Sequence, residues 1–325
     1  HGVFFAVMAV IVGLALANWM VEGDPGHDVF GMDVARFGEW ATLRHTNAKV
    51  RETYARRFSI RFPNEELAAA RPAQTTPLYD IQTGENRAVM GVTWGMEVPL
   101  WHAPEGGPAR DVLSFHRSND FSPVGDEVRA VRERVGVTEI ANFAKFAVTG
   151  PGAEAWLDRL LANRMPRPGR IALAPMLNEA GKLIGDFTVA RSAPERFMVW
   201  GSSAAQIHHL RWFEAHLPAD GSVRVERLGM RLMGLMLAGP RARDVLAALA
   251  DADVSAAAFR FMDHREMDVG GCPALVNRLS YTGDLGYEIW VEPCYLRTLY
   301  RAVKAAGAAH GIADFGMRAL LSMRL

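Results

Sequence analysis

The sequence has 325 residues, and its 36 Lys and Arg match 36 Asp and Glu, so the formal net charge is zero. A protein whose main ligand is a nucleic acid usually carries a net excess of positive charge, which this chain lacks. Half of the residues are hydrophobic, which permits a large core and argues against disorder. Cys272 and Cys294 are too few for a disulfide framework and form no CxxC metal motif. We therefore expect a soluble protein of two or three domains from a reducing compartment.

The two ends of the sequence are unlike natural termini. The chain begins at His1 rather than at a methionine, and it stops at Leu325 within the apolar run 319–325. We therefore expect the chain to be part of a longer protein.

An apolar run covers residues 3–20, which is about the length that can span a bilayer. One interpretation is a membrane anchor or an uncleaved signal. The other is a buried strand at 3–7 followed by a buried helix at 10–21 inside an α/β domain. No basic segment precedes the run, and the acidic Glu22 and Asp24 follow it, so the buried interpretation is favoured.

The next hundred residues carry helix, linker and strand signals in that order. An amphipathic pattern predicts a helix at 34–55, and the polar, proline-punctuated stretch 62–77 is typical of a surface linker. The Gly/Pro cluster at 102–108 marks the predicted domain boundary. Short strands are predicted between linker and boundary, at 89–92 and 98–101.

From Gly125 onward, helices and strands alternate. Strands are predicted at 143–149, 171–177, 183–190, 196–200, 231–237, 267–269, 274–280 and 287–291. Helices are predicted at 126–134, 153–162, 204–216, 241–249 and 293–306. Gly-Pro precedes a helix twice, at positions 150–151 and 239–240. This recurrence indicates two similar mixed α/β units.

The sequence contains none of the common phosphate, dinucleotide or zinc-protease motifs. His208 and His209 are adjacent, and adjacent helical side chains diverge by about 100°, so the pair cannot share a ligand face. We predict surface positions for both. His264 and Glu266 form an HxE pair without the PCxxC that a zinc deaminase requires. No metal site is predicted.

Two acidic residues stand among apolar residues in predicted strands. If Asp186 shares a strand face with Ile184, its carboxylate points toward an apolar interior, where acids are costly and often functional. The alternative is a strand-edge carboxylate that points to water, and the sequence does not separate the two. Glu288 follows the glycine-containing turn at 283–286, and strand alternation alone favours an outward side chain.

Six segments match a known family in their order and spacing. They are 127–137, 143–153, 176–181, 185–189, 237–240 and the YTGDLGYE sequence at 281–288. Together they resemble the folate-binding aminomethyltransferase fold of the glycine-cleavage T-protein. Upstream, 58–66 and 94–101 are similar to the central domain of dimethylglycine and sarcosine dehydrogenases, and 16–37 resembles the last helix and exit of their FAD-binding domain.

The resemblance implies an α+β fold of mixed α/β units. Residues 1–40 would be the tail of a flavin domain, 41–108 a linking domain, and 109–325 a folate-binding domain built of repeated α/β units. It also implies that a missing N-terminal domain binds most of the FAD. In that family, Asp186 matches the catalytic carboxylate, Glu288 the glutamate that accepts pterin N–H bonds, and Tyr281 a residue of the same pocket.

The function that the resemblance implies is one-carbon transfer. The flavin domain would oxidise an N-methylated amino acid, and the folate domain would capture the carbon on tetrahydrofolate as 5,10-methylenetetrahydrofolate. We expect either oxygen or an electron-transfer flavoprotein as electron acceptor, no nucleic acid and no membrane, in a bacterial cytoplasm or, second, a mitochondrial matrix. The alternative is a non-catalytic relative such as the regulatory subunit of pyruvate dehydrogenase phosphatase.

Overall fold

A computed structural model describes residues 2–324 of the chain, with side chains from residue 9 onward. Its α-helices are α1 (Gly2–Glu22), α2 (Leu43–Ala55), α3 (Tyr79–Thr83), α4 (Phe121–Glu133), α5 (Ala153–Leu160), α6 (Gln206–Ala215), α7 (Ala242–Ala247), α8 (Pro293–Gly307) and α9 (Met317–Ser322). A small two-stranded antiparallel sheet consists of β1 (Ala88–Thr93) and β2 (Met96–His102).

Two larger sheets form the second half of the chain. The strands of the five-stranded sheet are β4 (Ala144–Thr149), β5 (Arg170–Leu177), β6 (Leu183–Ala193), β7 (Arg196–Gly201) and β8 (Arg224–Arg227). They follow the order β5-β6-β7-β4-β8 and are antiparallel throughout.

The six-stranded sheet draws its strands from a wider stretch of sequence. They are β3 (Gly136–Glu139), β9 (Met233–Ala238), β10 (His264–Asp268), β11 (Pro273–Asn277), β12 (Gly286–Val291) and β13 (Ala313–Asp314). The order is β10-β11-β12-β9-β3-β13, and β13 alone runs parallel to its neighbour.

Strand alternation divides the five-stranded sheet into two faces. Phe187 and Val189 of β6 pack against α5 and α6, in a cluster that we call the helix-side core and that includes Phe213. Ala190 and Trp200 point the other way, into the inter-sheet core, which includes Trp290 of the six-stranded sheet. The two large sheets therefore face each other across the inter-sheet core.

Most predicted elements of the α/β region are confirmed to within a few residues. The hairpin of β5 and β6, strands β4, β7 and β12, and helices α5 and α8 lie where alternation, turns and helix signals predicted them. Helix α4 begins at Phe121, five residues before its predicted start at 126. The prediction missed β3, β8, β13 and α9; strand β8 reads Arg-Val-Glu-Arg and offers no apolar alternation.

The N-terminal apolar run differs from its prediction. Residues 2–22 form one helix, α1, instead of a strand at 3–7 followed by a second helix at 10–21. From residue 9 onward most of its side chains are also exposed: Val10 is 70% and Met20 79% exposed, whereas Ala15 is buried. An all-apolar run has no polar face to fix its period, so its pattern fits helix and strand equally. No helix within the described residues has the length and hydropathy of a membrane-spanning segment.

The helix predicted at 34–55 is also interrupted. A single 3-10 turn spans Val34–Arg36, and the α-helix begins only at Leu43. Thr42 caps that helix, because its Oγ1 accepts a hydrogen bond from the backbone N–H of His45 at 3.3 Å.

Replacing Phe213 with alanine should destabilise the helix-side core. Phe213 is fully buried, and its ring centroid lies 5.3 Å from that of Phe146 and 5.6 Å from that of Phe187. We expect Phe213→Ala to lower the free energy of unfolding by about 3–5 kcal/mol in urea denaturation, because it leaves a cavity. The control Leu183→Ala, on the exposed end of β6, should change it by less than about 0.5 kcal/mol. Equal losses in both variants would contradict this packing.

Candidate functional site

One face of the five-stranded sheet carries Asp186. Lys145, Trp200 and Thr188 lie directly opposite one another on β4, β7 and β6, so their side chains share a face. Asp186 is two residues before Thr188 on β6 and lies on that face too. Because Trp200 belongs to the inter-sheet core, this face is turned toward the six-stranded sheet.

The six-stranded sheet presents Glu288 from the other side. Glu288 and Trp290 are two residues apart on β12 and therefore share a face. Trp290 packs on Trp200, with ring centroids 5.5 Å apart. The structure thus turns Asp186 and Glu288 toward the same inter-sheet space, although no hydrogen bond among the described residues joins them.

Asp186 lies at the accessible end of this space. Its side chain is exposed, close to the hairpin turn between β5 and β6. The interpretation that placed its carboxylate in an apolar interior is therefore wrong, and the solvent-facing alternative is confirmed. A carboxylate in this position is accessible to a ligand that enters between the sheets.

His209 supports the strand of Asp186 from the opposite face. It is 1% exposed, and its Nε2 donates a hydrogen bond to the backbone oxygen of Ile184 at 2.9 Å. Burial lowers the pKa of His209 to about 4. The predicted surface position is wrong for this residue, because α6 packs directly on β6. Gly185 permits the close approach, since a Cβ there would lie 2.7 Å from His209 Nε2.

The carboxylate of Glu288 is held by one oxygen. Its Oε2 accepts hydrogen bonds from Asn277 Nδ2 at 3.2 Å and from Trp290 Nε1 at 3.4 Å. Loss of solvation raises the pKa of Glu288 to about 7, against the opposing effect of these two donors. No hydrogen bond from the described residues reaches Oε1, which leaves this oxygen for a ligand. Alternation favoured a side chain that points outward to water, and this prediction is therefore wrong.

Tyr281 lies beside the same core. Its ring is 6.4 Å from that of Phe143, and the guanidinium of Arg324 lies over it at 3.8 Å from the ring centroid. The tyrosine is only partly buried. It offers an aromatic surface at the edge of the inter-sheet core, but it forms no hydrogen bond with Asp186 or Glu288 among the described residues.

A cavity of about 270 Å³ opens next to Lys145. Its walls are rich in polar side chains: Gln74, Asn142, Lys145, Gln206, Arg227 and Arg231. Neither Asp186 nor Glu288 belongs to its walls. The buried Asn142 Oδ1 has no hydrogen-bond partner among the described residues, so the cavity offers an unsatisfied polar atom to a ligand.

Sequence reasoning missed Lys145, which is only 1% exposed. Its Nζ donates to the backbone oxygen of Ala141 at 2.5 Å and lies 5.8 Å from the ring centroid of Trp290. Burial lowers the pKa of Lys145 to about 7. Alternation in the strand predicted at 143–149 could have indicated that Lys145 is buried, because it places the lysine on the same face as Phe143. Asn277, which lies next to Glu288, was missed as well, and His264, which lies on the far side of Asn277, was considered only as half of an HxE pair.

The described residues form no metal centre. No group of three or more His, Cys, Asp and Glu side chains among them could hold a metal ion.

Comparison with known proteins identifies the fold. Residues 78–325 match the family model described as the GCVT N-terminal domain. The chain belongs to this family. Residues 22–76 match the model of the FAD dependent oxidoreductase central domain. The predicted α+β fold with T-protein-like units is thereby confirmed.

Individual relatives agree with this assignment. Mitochondrial dimethylglycine dehydrogenase of Mus musculus is 35% identical over 97% of this chain and 36% of its own length. The mitochondrial pyruvate dehydrogenase phosphatase regulatory subunit of Mus musculus is 31% identical over 96% of this chain and 36% of its own length. The chain thus spans about a third of the length of these relatives. The crystal structure of aminomethyltransferase T from Bartonella henselae superposes with a TM-score of 0.62 at 25% identity, covering 77% of this chain and 62% of that one.

Replacing Lys145 with methionine should stabilise the protein and flatten its pH dependence. The pKa of this lysine is about 7 in the folded chain, against about 10.4 in an unfolded one, so the unfolded chain binds more protons between these values. Wild-type stability should therefore rise by about 2 kcal/mol between pH 7 and 9 through this residue. Lys145→Met removes that rise, which urea denaturation at both pH values measures.

The matched control is Lys182→Met, at an exposed position in the hairpin turn. This control should retain the wild-type pH dependence. A Lys145→Met variant with the same rise in stability between pH 7 and 9 would show that the buried amine does not cause it.

Proposed function

We propose that this chain carries the folate-dependent one-carbon transfer site of an N-methyl amino acid dehydrogenase of the dimethylglycine and sarcosine type. The observation that carries the proposal is Glu288, a partly buried carboxylate whose Oε2 accepts two hydrogen bonds and whose Oε1 has no hydrogen-bond partner among the described residues, on a face turned toward Asp186. The family match over 78–325 and the similarity to dimethylglycine dehydrogenase support it.

The residues between the sheets fit tetrahydrofolate. The pterin ring presents N–H donors along one edge, and Glu288 offers a carboxylate acceptor in a place with little water, where charge-assisted hydrogen bonds are strong. Tyr281 and Phe143 offer aromatic surface for a flat ring. Tetrahydrofolate, when bound, supplies the amine nitrogens that take up a carbon at the oxidation level of formaldehyde.

Asp186 is the proposed catalytic residue. Its exposed carboxylate can accept a proton from a reacting amine and stabilise the positive charge that develops during carbon transfer. Its position near the end of β6 leaves room for the substrate. Glu288 binds and orients, whereas Asp186 acts on the reacting atoms.

The remaining steps are proposed for the longer protein. An FAD bound by other residues would oxidise the N-methylated amino acid, and an electron-transfer flavoprotein would receive the electrons. The central-domain match at 22–76 supports the link to a flavoprotein, but we assign no residue of this chain to FAD. Dimethylglycine dehydrogenase of the mouse is mitochondrial, which agrees with the second compartment expected from the sequence and gives no support to a cytoplasmic one.

A non-catalytic regulator is the second candidate. The regulatory subunit of pyruvate dehydrogenase phosphatase is 31% identical to this chain, so the fold alone does not separate regulation from catalysis. The presence of Asp186 and Glu288 in accessible, complementary positions favours the enzyme.

Replacing Glu288 with glutamine should weaken tetrahydrofolate binding. Loss of a hydrogen bond to a charged group costs about 1.5–3 kcal/mol, so calorimetric titration at pH 8 should show a Kd raised roughly ten- to hundredfold. Glu292→Gln, an exposed acid just beyond β12, is the matched control and should bind like the wild type. Equal affinities of Glu288→Gln and the control would contradict the role of Glu288.

Replacing Asp186 with asparagine should impair transfer but not binding. In the full-length protein supplied with dimethylglycine and tetrahydrofolate, we expect the yield of 5,10-methylenetetrahydrofolate per turnover to fall roughly hundredfold, because a proton acceptor is lost. Glu179→Gln, at the exposed tip of the same hairpin, should leave the yield unchanged. An unchanged yield in Asp186→Asn would remove its catalytic assignment, and a wild type that binds tetrahydrofolate without forming product would favour the regulator.

A further inference from the structure

A row of polar side chains crosses the six-stranded sheet and ends at Glu288. His264 pairs with Asn277 across β10 and β11, and Asn277 pairs with Glu288 across β11 and β12. Directly opposite residues share a sheet face, so the three side chains form one line. Asn277 is fully buried and His264 is 4% exposed. Buried polar groups of this kind are costly unless their hydrogen bonds are complete.

The row is a continuous chain of hydrogen bonds. Asn277 Nδ2 lies 3.2 Å from Glu288 Oε2, and Asn277 Oδ1 lies 2.8 Å from His264 Nδ1. His264 Nε2 lies 2.8 Å from the hydroxyl of Ser192 on β6. The row therefore begins on the five-stranded sheet and ends on the six-stranded sheet.

The chemistry of the carboxylate gives the row a direction. An ionised carboxylate only accepts hydrogen bonds, so Asn277 turns its amide nitrogen toward Glu288. Its amide oxygen then needs a donor, and His264 Nδ1 must carry the hydrogen. The second ring nitrogen is left to accept from Ser192. Every donor in the row consequently points toward Glu288.

We propose that Asn277 and His264 are positioning residues, which hold Glu288 by its Oε2 in the ionised form and leave Oε1 directed to the ligand. The inference rests on the proposed function only in naming that ligand as tetrahydrofolate. Asn277 acts by direct contact, and His264 acts through Asn277 by fixing the orientation of the amide.

The electrostatic surroundings of Glu288 are consistent with this role. Burial disfavours its charge, and the donor from Asn277 is one of the two that favour it. Burial also lowers the pKa of His264, so this residue supplies a neutral donor and not a positive charge. Lys145 lies across the indole of Trp290, and the neighbour of Glu288 on β9 is the uncharged Met236. The charges of Glu266 and Arg196 act on the pKa of His264 in opposite directions.

The row also connects the two proposed functional acids. Ser192 and Asp186 are on the same strand, β6, and Ser192 is the first residue of the row, where its hydroxyl bonds to His264. The hydrogen bonds therefore fix β12, which carries Glu288, against the strand that carries Asp186. Such support allows a binding acid and a reacting acid to keep one relative position.

The first test measures the pH at which the carboxyl group of Glu288 is half protonated, without any ligand. We expect the difference between infrared spectra of the wild type and of Glu288→Gln, titrated from pH 5 to 9, to isolate the protonated-carboxyl band of Glu288 from that of Glu139, whose pKa burial also raises to about 7. We expect Asn277→Leu to raise the midpoint of this band by about one pH unit, because it removes a donor to the charged form. His264→Leu should shift it in the same direction, whereas His264→Asn, whose amide nitrogen replaces Nδ1, should stay near the wild type.

The second test measures tetrahydrofolate affinity in the same variants. With the midpoint raised by one unit, Asn277→Leu should bind roughly fivefold more weakly at pH 7 but less than twofold more weakly at pH 9, where Glu288 is ionised in both proteins. General damage to the site would weaken binding equally at both pH values. Glu292→Gln, the exposed acid just beyond β12, is again the control and should match the wild type.

Wild-type midpoints and affinities in both Asn277→Leu and His264→Leu would overturn the inference. If His264→Leu does not fold, the other two variants decide whether the inference holds. Asn277→Leu should shift the midpoint of the carboxyl titration, and His264→Asn should leave it near the wild-type value. If the wild type does not bind tetrahydrofolate, or if Glu288→Gln binds it normally, the proposed function fails, and the ligand-free carboxyl titration still decides the role of the row.

Discussion

The packing of Trp200 on Trp290 joins the two large sheets, and the geometry of the site depends on it. Each indole stands next to functional groups on its own sheet: Trp200 is opposite Lys145 on β4, and Trp290 is two residues from Glu288 on β12. The contact joins the two sheets beside the carboxylate of Glu288. The indole of Trp290 serves both purposes, because its Nε1 donates to Glu288 while its ring packs on Trp200.

The two acids between the sheets have different environments, and the difference follows from where their strands end. Asp186 is close to the hairpin turn, where the sheet opens to solvent, so its carboxylate remains accessible. Glu288 is in the middle of its sheet, between β9 and β11, and it loses its solvation there. Acids with separate environments on facing surfaces can take separate roles, one in binding and one in proton transfer.

Local patterns predicted much of the fold but little of the site. The β5–β6 hairpin and helix α8 were predicted because turn residues and periodicity are properties of short segments. The burial of His209 and the polar row from Ser192 depend on packing and on strand register, which no short segment specifies. The apolar residues of α1 were expected to be buried, but hydrophobicity alone does not supply a neighbour to cover them. The roles proposed for Asp186, Glu288 and Tyr281 come from family resemblance and not from periodicity.

The error over Glu288 has a specific cause. Alternation separates a buried face from a wet one only if one face of the strand is open to water. Strand β12 has no such face: Tyr287 and Ile289 pack with α7 and α8, while Trp290 packs into the inter-sheet core. A polar residue on the apparently outward face therefore loses part of its solvation, and hydrogen-bond donors offset that cost. Asn277 and Trp290 satisfy one oxygen of Glu288, and the other oxygen provides the acceptor that a ligand can use.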